Sequence, residues 1–373
     1  MRSSLSQYIL PDYKNCNLNI SATLSAYLGG ASRNAQLPML RDALAQSYEK
    51  TVFICFDGLG IVPIETHLKP EDFLRKHIRQ ELTSTFPSTT TNATTSLLTN
   101  RLPLEHGKFG WSMYFPEINR NIDIFRSTDS MTREKIDLPE TALNRFPFYF
   151  DEVKGDYTIH TVFPPYISVA YPQRNHVYHS EDGFFQEIEA ICGQTGRHFV
   201  YAYFQEPDSV MHANGVSSKE AGDVIKRLSD RMGEICEKSE STLFIITADH
   251  GQIDIDGYAE FYRDQKLMDM LNIYPYLECR AVSFSVKNPY RNDFASYFSE
   301  KYYEDFLIFK AYDLVDMQLF GDRGYAAPLL GDFIAIGTYT HKQALLFPGQ
   351  RRLKGHHASM TEEMRVPLIL ASR

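Results

Sequence analysis

The chain has 373 residues, 43% of them hydrophobic and 23% charged, with a formal net charge of -9. That composition is ordinary for a globular chain with a large core. The acidic balance excludes a nucleic-acid-coating role, because no basic excess is available to neutralise a phosphate backbone, while a small anionic substrate stays compatible with it.

From the N-terminus, MRSSLSQYILPDYKNC has no apolar run of signal-peptide length. No later stretch approaches the eighteen apolar residues of a membrane span. The five cysteines, Cys16, Cys55, Cys192, Cys236 and Cys279, are scattered and have no CxxC spacing. Reduced thiols and a cytoplasmic location are therefore expected.

Four short runs are almost wholly apolar: TVFICF (Thr51 to Phe56), HFVYAYF (His198 to Phe204), TLFIITA (Thr242 to Ala248) and VPLILAS (Val366 to Ser372). Strands apolar on both faces belong in a parallel sheet covered by helices. Helices are expected at EDFLRKHIRQEL (Glu71 to Leu82) and over Ser218 to Ser239, where Val224, Ile225, Leu228, Met232 and Ile235 recur at helical spacing. This alternation predicts an α/β fold with a mostly parallel central sheet and helices on both faces. The aromatic-rich segment 258–337 has a different texture, with strand signals at RAVSFSVKN, FLIFKAY and DFIAIGTY and a helix signal at DFASYFSEKYYEDF. It is expected to be a small inserted α+β cap subdomain. Residues 1–257 and 338–373 would then form the main core.

Three of the apolar runs lead into an aspartate: Asp57, Asp208 and Asp249. Carboxyl ends of strands line the crevice of an open α/β sheet, and three acids gathered there repel unless a cation holds them. Asp249 is followed by His250, and Asp208 by His212 four residues on, one helical turn away. Mixed aspartate and histidine ligands suit zinc or manganese. Near the C-terminus His356 and His357 are adjacent, so at most one of them is expected to enter a shared site.

Eleven of the seventeen residues in TSTFPSTTTNATTSLLT (Thr83 to Thr99) carry a hydroxyl. The end of this stretch, ATTSLLTN, reads as a short helix with Asn100 as a left-handed C-cap. Helix capping explains one or two hydroxyls. A helix N-terminus is also an anion site, and a hydroxyl beside a divalent metal becomes a usable nucleophile.

With FDGLG (Phe56 to Gly60), FPSTTTNATTSLLTNRLPLEHG (Phe86 to Gly107), EPDSVMHANG (Glu206 to Gly215), TADHGQ (Thr247 to Gln252) and GHHASMTEEM (Gly355 to Met364) in this order, the chain resembles the alkaline phosphatase superfamily, and within it the nucleotide pyrophosphatase/phosphodiesterase branch. The resemblance implies an alkaline phosphatase-like α/β fold and two divalent ions, zinc or alternatively manganese. One would be held by Asp57, Asp249 and His250, the other by Asp208, His212 and His357. It implies Thr90 as the nucleophile, with Thr89 and Thr91 the one-residue alternatives. The family's asparagine three residues later is Ala93 here, so Asn92 or a backbone N–H would contact the phosphate. Ala358 also replaces a usual glycine.

The reaction implied is cleavage of a phosphodiester or pyrophosphate through a phospho-threonine, on a small phosphate-ester or nucleotide substrate. No cation dedicated to an extra phosphate oxygen stands in the motifs, Arg101 and Lys108 reading as solvated charges. Phe109, Trp111, Tyr114 and Tyr166 are candidates for a stacking wall against a base, with core packing as the competing role. A phosphomonoesterase is the alternative activity, and a non-catalytic phosphate- or nucleotide-binding protein the alternative class. The serine-and-manganese phosphomutases need a larger insertion, and sulfatases need a formylglycine motif; neither is present.

Overall fold

The strand Lys50–Phe56 is buried along its whole length, so both of its faces are covered. It is the centre of a seven-stranded sheet in a computed structural model that describes residues 5–137, 146–153, 155–165, 175–348 and 350–373. Across this sheet the order is Ile78–Thr83, Arg365–Ser372, Thr242–Thr247, Lys50–Phe56, Arg197–Phe204, Tyr157–Phe163 and Asn175–Val177. The last five are mutually parallel, and Arg365–Ser372 runs antiparallel to both its neighbours. In register, Phe53 lies between Tyr201 and Ile245. The expected helix at Ser218 to Ser239 spans Lys219–Lys238, with the Ser218 hydroxyl accepting from the Ala221 N–H at 3.1 Å. Its Ile225, Leu228, Met232 and Ile235 are buried in the main core with the sheet residues.

The segment 71–82 is not one helix. A single turn, Phe73–Lys76, gives way to the edge strand Ile78–Thr83. Its residues are good helix formers, but the C-terminal strand offers a ladder of backbone partners, with Arg365 opposite Thr83. Arg365 also grips Glu81 with two 2.8 Å bonds, a charged rim typical of an edge strand. Tertiary pairing outweighs local propensity there.

A second seven-stranded sheet, wholly antiparallel, has the order Phe306–Lys310, Phe333–Gly337, Ala281–Phe284, Tyr276–Leu277, Ser112–Phe115, Arg120–Asp123 and Thr128–Asp129. Four of its strands come from the segment 258–337 and three from 112–129, upstream of the boundaries expected for a cap. The upstream strands join through the pairing of Leu277 with Ser112, a long-range contact that local patterning does not announce. Among the described residues no helix is long and apolar enough to cross a membrane.

Candidate functional site

Thr242–Thr247, Lys50–Phe56 and Arg197–Phe204 are adjacent and parallel, so the residues just beyond their carboxyl ends converge. Asp57 and Asp249 follow two of these strands directly or after one residue. Asp208 opens the helix Asp208–Asn214, and its N–H is bonded to the Asp57 carbonyl at 3.1 Å. Gly60 lets two of these turns touch: a Cβ there would lie 2.6 Å from the Gly251 Cα and 2.7 Å from the Arg365 carbonyl oxygen. Only glycine permits that approach.

Two groups of ligand atoms result, each lying within 4.8 Å of one another: Asp208, His212 and His357, and Asp57, Asp208 and His250. Asp208 stands in both. Helical spacing brings His212 Nε2 to 3.4 Å from Asp208 Oδ2. His250 Nε2 is 3.4 Å from Asp57 Oδ1 and 3.6 Å from Asp249 Oδ2. The other ring nitrogens are engaged elsewhere, His212 Nδ1 with the Gly355 carbonyl at 2.7 Å and His250 Nδ1 with the Gly251 carbonyl at 2.9 Å. A carbonyl only accepts, so each Nδ1 donates to it and each Nε2 is turned toward carboxylate oxygen. Imidazole nitrogen and carboxylate oxygens turned toward one another in this way are a donor set for a divalent cation.

The acids support the same fit. Asp249 Oδ1 accepts from the N–H groups of Gly58 at 3.1 Å and His250 at 2.9 Å, leaving Oδ2 buried without a hydrogen-bond partner. Burial, and then the charges of Asp249 and Asp208, push the Asp57 carboxyl well above the usual carboxylate range. Burial, and then the imidazoles of His250, His212 and His356, hold His357 well below the usual histidine range, in the neutral form a metal ligand needs. Its Nδ1 is buried with no hydrogen-bond partner. The neighbouring His356 instead meets the Tyr258 hydroxyl at 2.7 Å. This donor set, with unpartnered oxygen and nitrogen in one buried place, fits a divalent cation of the zinc or manganese kind.

Thr90 is the first residue of the helix Thr90–Thr99, which ends at Asn100 in the left-handed conformation, φ 53° and ψ 40°. Its Oγ1 lies 3.3 Å from Asp57 Oδ1 and 3.1 Å from His250 Nε2. The flanking hydroxyls go elsewhere: Thr89 donates to Glu278 at 2.6 Å, and Thr91 Oγ1 is buried without a partner. Of the three threonines, Thr90 is the one facing the acids and imidazole.

Two of the expected substrate contacts, Asn92 and Phe109, are committed to internal packing. Asn92 is fully buried, and its amide donates to the Pro87 carbonyl at 2.8 Å. That bond braces the turn leading into the helix. Phe109 is a core residue, fully buried edge-on against Phe320 at 5.4 Å. Trp111 is half-buried, with Arg126 over its ring at 5.4 Å. Tyr166 lies outside the described residues. Arg101 pairs with Glu105 at 3.6 Å and lies 4.0 Å over the Phe146 ring.

Three further residues support the cluster. Tyr203 donates to Asp57 Oδ2, and Gln252 donates to Asp208 Oδ1 and, at 3.0 Å, to its carbonyl. Glu278, buried, has its carboxyl pushed up to about 7 by desolvation. Tyr203 and Glu278 stand where the sequence suggests strand core and cap, so no local signal marks them. Gln252 lies inside the TADHGQ motif, which was the available clue.

The family model for type I phosphodiesterase / nucleotide pyrophosphatase matches residues 51–292. No curated protein matches the chain by sequence. Among solved structures, murine ectonucleotide pyrophosphatase/phosphodiesterase 5 is similar with a TM-score of 0.65 at 15% identity, over 88% of each chain. An inactive form of that murine protein, solved in complex with AMP, gives a TM-score of 0.64 at 15% identity over 87% of this chain and 88% of that one. Phosphonoacetate hydrolase from Sinorhizobium meliloti 1021, in complex with phosphonoformate, gives 0.62 at 13% identity, over 87% of this chain and 90% of that one. At such identities these likenesses speak for the alkaline phosphatase-like fold.

Proposed function

Because the chain belongs to the type I phosphodiesterase / nucleotide pyrophosphatase family, we propose that it is a hydrolase that cleaves a phosphodiester or pyrophosphate bond by transfer of the phosphoryl group to Thr90. The observation that carries this reading is the position of Thr90 Oγ1, at a helix N-terminus, 3.3 Å from Asp57 and 3.1 Å from His250.

Two divalent ions, zinc or alternatively manganese, would be held by Asp57, Asp249 and His250 and by Asp208, His212 and His357. When bound they would supply charge neutralisation at the phosphate and a lowered hydroxyl pKa. The protein's own contribution is positional. Tyr203 and Gln252 orient Asp57 and Asp208, and the backbone N–H groups of Gly58 and His250 orient Asp249. The free N–H groups at the start of the Thr90–Thr99 helix favour an anion beside the nucleophile. Thr90 Oγ1 attacks phosphorus, the P–O bond to the leaving group breaks, and water then cleaves the phospho-threonine. A diester or pyrophosphate is favoured over a monoester in that Arg101, a cation flanking the Thr90–Thr99 helix, is engaged with Glu105 and Phe146. A small nucleotide substrate is in keeping with AMP bound by the murine protein of this fold.

The test is hydrolysis of bis-p-nitrophenyl phosphate against p-nitrophenyl phosphate, with metal analysis. Thr90→Ala is expected to lower kcat by about a thousandfold or more while the melting temperature is retained. Wild-type turnover by Thr90→Ala refutes the nucleophile, and protein loaded with zinc or manganese yet inert toward both compounds refutes the hydrolase.

A further inference from the structure

Glu278 belongs to none of the motifs. It lies in the turn between Tyr276–Leu277 and Ala281–Phe284 of the second sheet, 8% exposed. Its Oε1 accepts two hydrogen bonds, from the Thr89 hydroxyl and the Trp111 backbone N–H, both at 2.6 Å. The preceding Leu277 has φ 78°, a left-handed conformation that costs free energy in a branched residue. Leu277 is pressed against Gly110, where a Cβ would lie 2.9 Å from the Leu277 Cα, C and O atoms. The strained turn and close backbone approach bring the carboxylate beneath the nucleophile turn.

Thr89 holds the N-cap position of the Thr90–Thr99 helix, with φ -141° and ψ 152°. A threonine there ordinarily accepts from an N–H of its own helix. This one makes no such bond and donates to Glu278 instead. The side chain next to the nucleophile is therefore tied to Glu278 of the second sheet, while the Thr89 carbonyl accepts from the Ala93 N–H of its own helix at 2.9 Å.

We propose that Glu278 is a positioning residue for the nucleophile: by holding Thr89 it fixes the first turn of the helix and so the direction of Thr90 Oγ1 toward Asp57 and His250. The proposal rests on the reading of Thr90 as nucleophile. Glu278 touches none of the reacting atoms and acts through Thr89.

The test compares Glu278→Ala, Glu278→Gln and Thr89→Val in the full metal-loaded chain, with Thr90→Ala alongside, on bis-p-nitrophenyl phosphate. Glu278→Ala is expected to lower kcat about 10- to 100-fold with KM within about threefold, the cost of a misdirected reacting group. Glu278→Gln keeps an acceptor oxygen and is expected to recover kcat to within about fivefold of the original. Thr89→Val removes the same bond from the other side and should reproduce the alanine result. The double variant should be no worse than Glu278→Ala, because Thr89→Val removes a bond that the alanine variant already lacks. Independently of activity, amide hydrogen exchange over 89–97 should quicken in the alanine and valine variants, recover with glutamine, and stay unchanged in Lys50–Phe56. Unaltered kcat and exchange in Glu278→Ala, or losses that multiply in the double variant, overturn the proposal. If Glu278→Ala does not fold, Thr89→Val decides by the same readouts. Full turnover by Thr90→Ala is a separate outcome, which refutes the nucleophile reading itself.

Discussion

Asp57 is buried among like charges, with Asp249 and Asp208 both raising its carboxyl. Each is worth having there only if a cation is present, since a buried unpaired charge is costly. Chelation of divalent ions is therefore expected to lower the melting temperature by several degrees, through loss of a ligand that binds only the native state. Asp57→Asn should raise the melting temperature of the chelated protein while abolishing turnover in the metal-loaded one. A neutral or destabilising effect in chelator, read by thermal unfolding, argues against repulsion among these acids. At this scale the sequence marked the acids by their place after apolar runs, and His212 by its spacing from Asp208. The family resemblance pointed to Thr90 but left Thr89 and Thr91 as one-residue alternatives, because a helix start turns successive side chains in different directions. Nor did it reveal that Asn92 and Phe109 face inward, a matter of packing.

Elements were legible where a face is periodic and long. The Lys219–Lys238 helix combines a polar cap with an apolar stripe, and the central strands are apolar throughout. Ile78–Thr83 was not legible, because it is a strand only by pairing with Arg365–Ser372. Another tie between elements is a line of imidazoles at the far side of the same sheet. His160 lies 3.0 Å from His176 on one side and 3.0 Å from His198 on the other, and His176 meets Glu187 of the helix Glu181–Cys192 at 2.7 Å. Burial, and then His176 and His198, hold the His160 pKa at about 4. Because the folded value lies below the usual 6.5, the unfolded chain binds the proton more readily. The stability His160 contributes is thus present above pH about 6.5 and lost as pH falls toward 4, on the order of 1–3 kcal/mol. Denaturant unfolding at pH 4.5 and 7 should show this loss, and His160→Gln should reduce it; an unchanged pH dependence in that variant refutes the assignment.

At the scale of the molecule, the site lies where two sheets meet. Arg280, in the turn between Tyr276–Leu277 and Ala281–Phe284 of the second sheet, pairs with Glu363 at 3.1 Å with both side chains fully buried, and donates to the Gln343 carbonyl at 2.8 Å. The same carboxylate oxygen of Glu363 accepts from the Ser359 N–H at 3.1 Å, two residues beyond His357. Removing one member leaves the other charge buried and unpaired. Arg280→Met or Glu363→Leu should each cost about 3–5 kcal/mol, while the double variant recovers part of that loss. Thermal unfolding checks it, and simple additivity of the two losses overturns it.

The sequence by itself determined the α/β class, the main strands and the family resemblance, and it marked the acids and histidines that the fold gathers, because these depend on local residue order and periodicity. Only the tertiary structure decided that three strands from 112–129 join the second sheet, and that Ile78–Thr83 is a strand. It alone set which threonine faces the acids, and tied the turn at Thr89 to Glu278. Those outcomes come from pairings between residues far apart in the chain, where the energy lies in the contact and not in either segment alone. The run of hydroxyls from Thr83 to Thr99 illustrates the division. Its composition announced a special turn, and its hydrogen bonds assigned each threonine a different task.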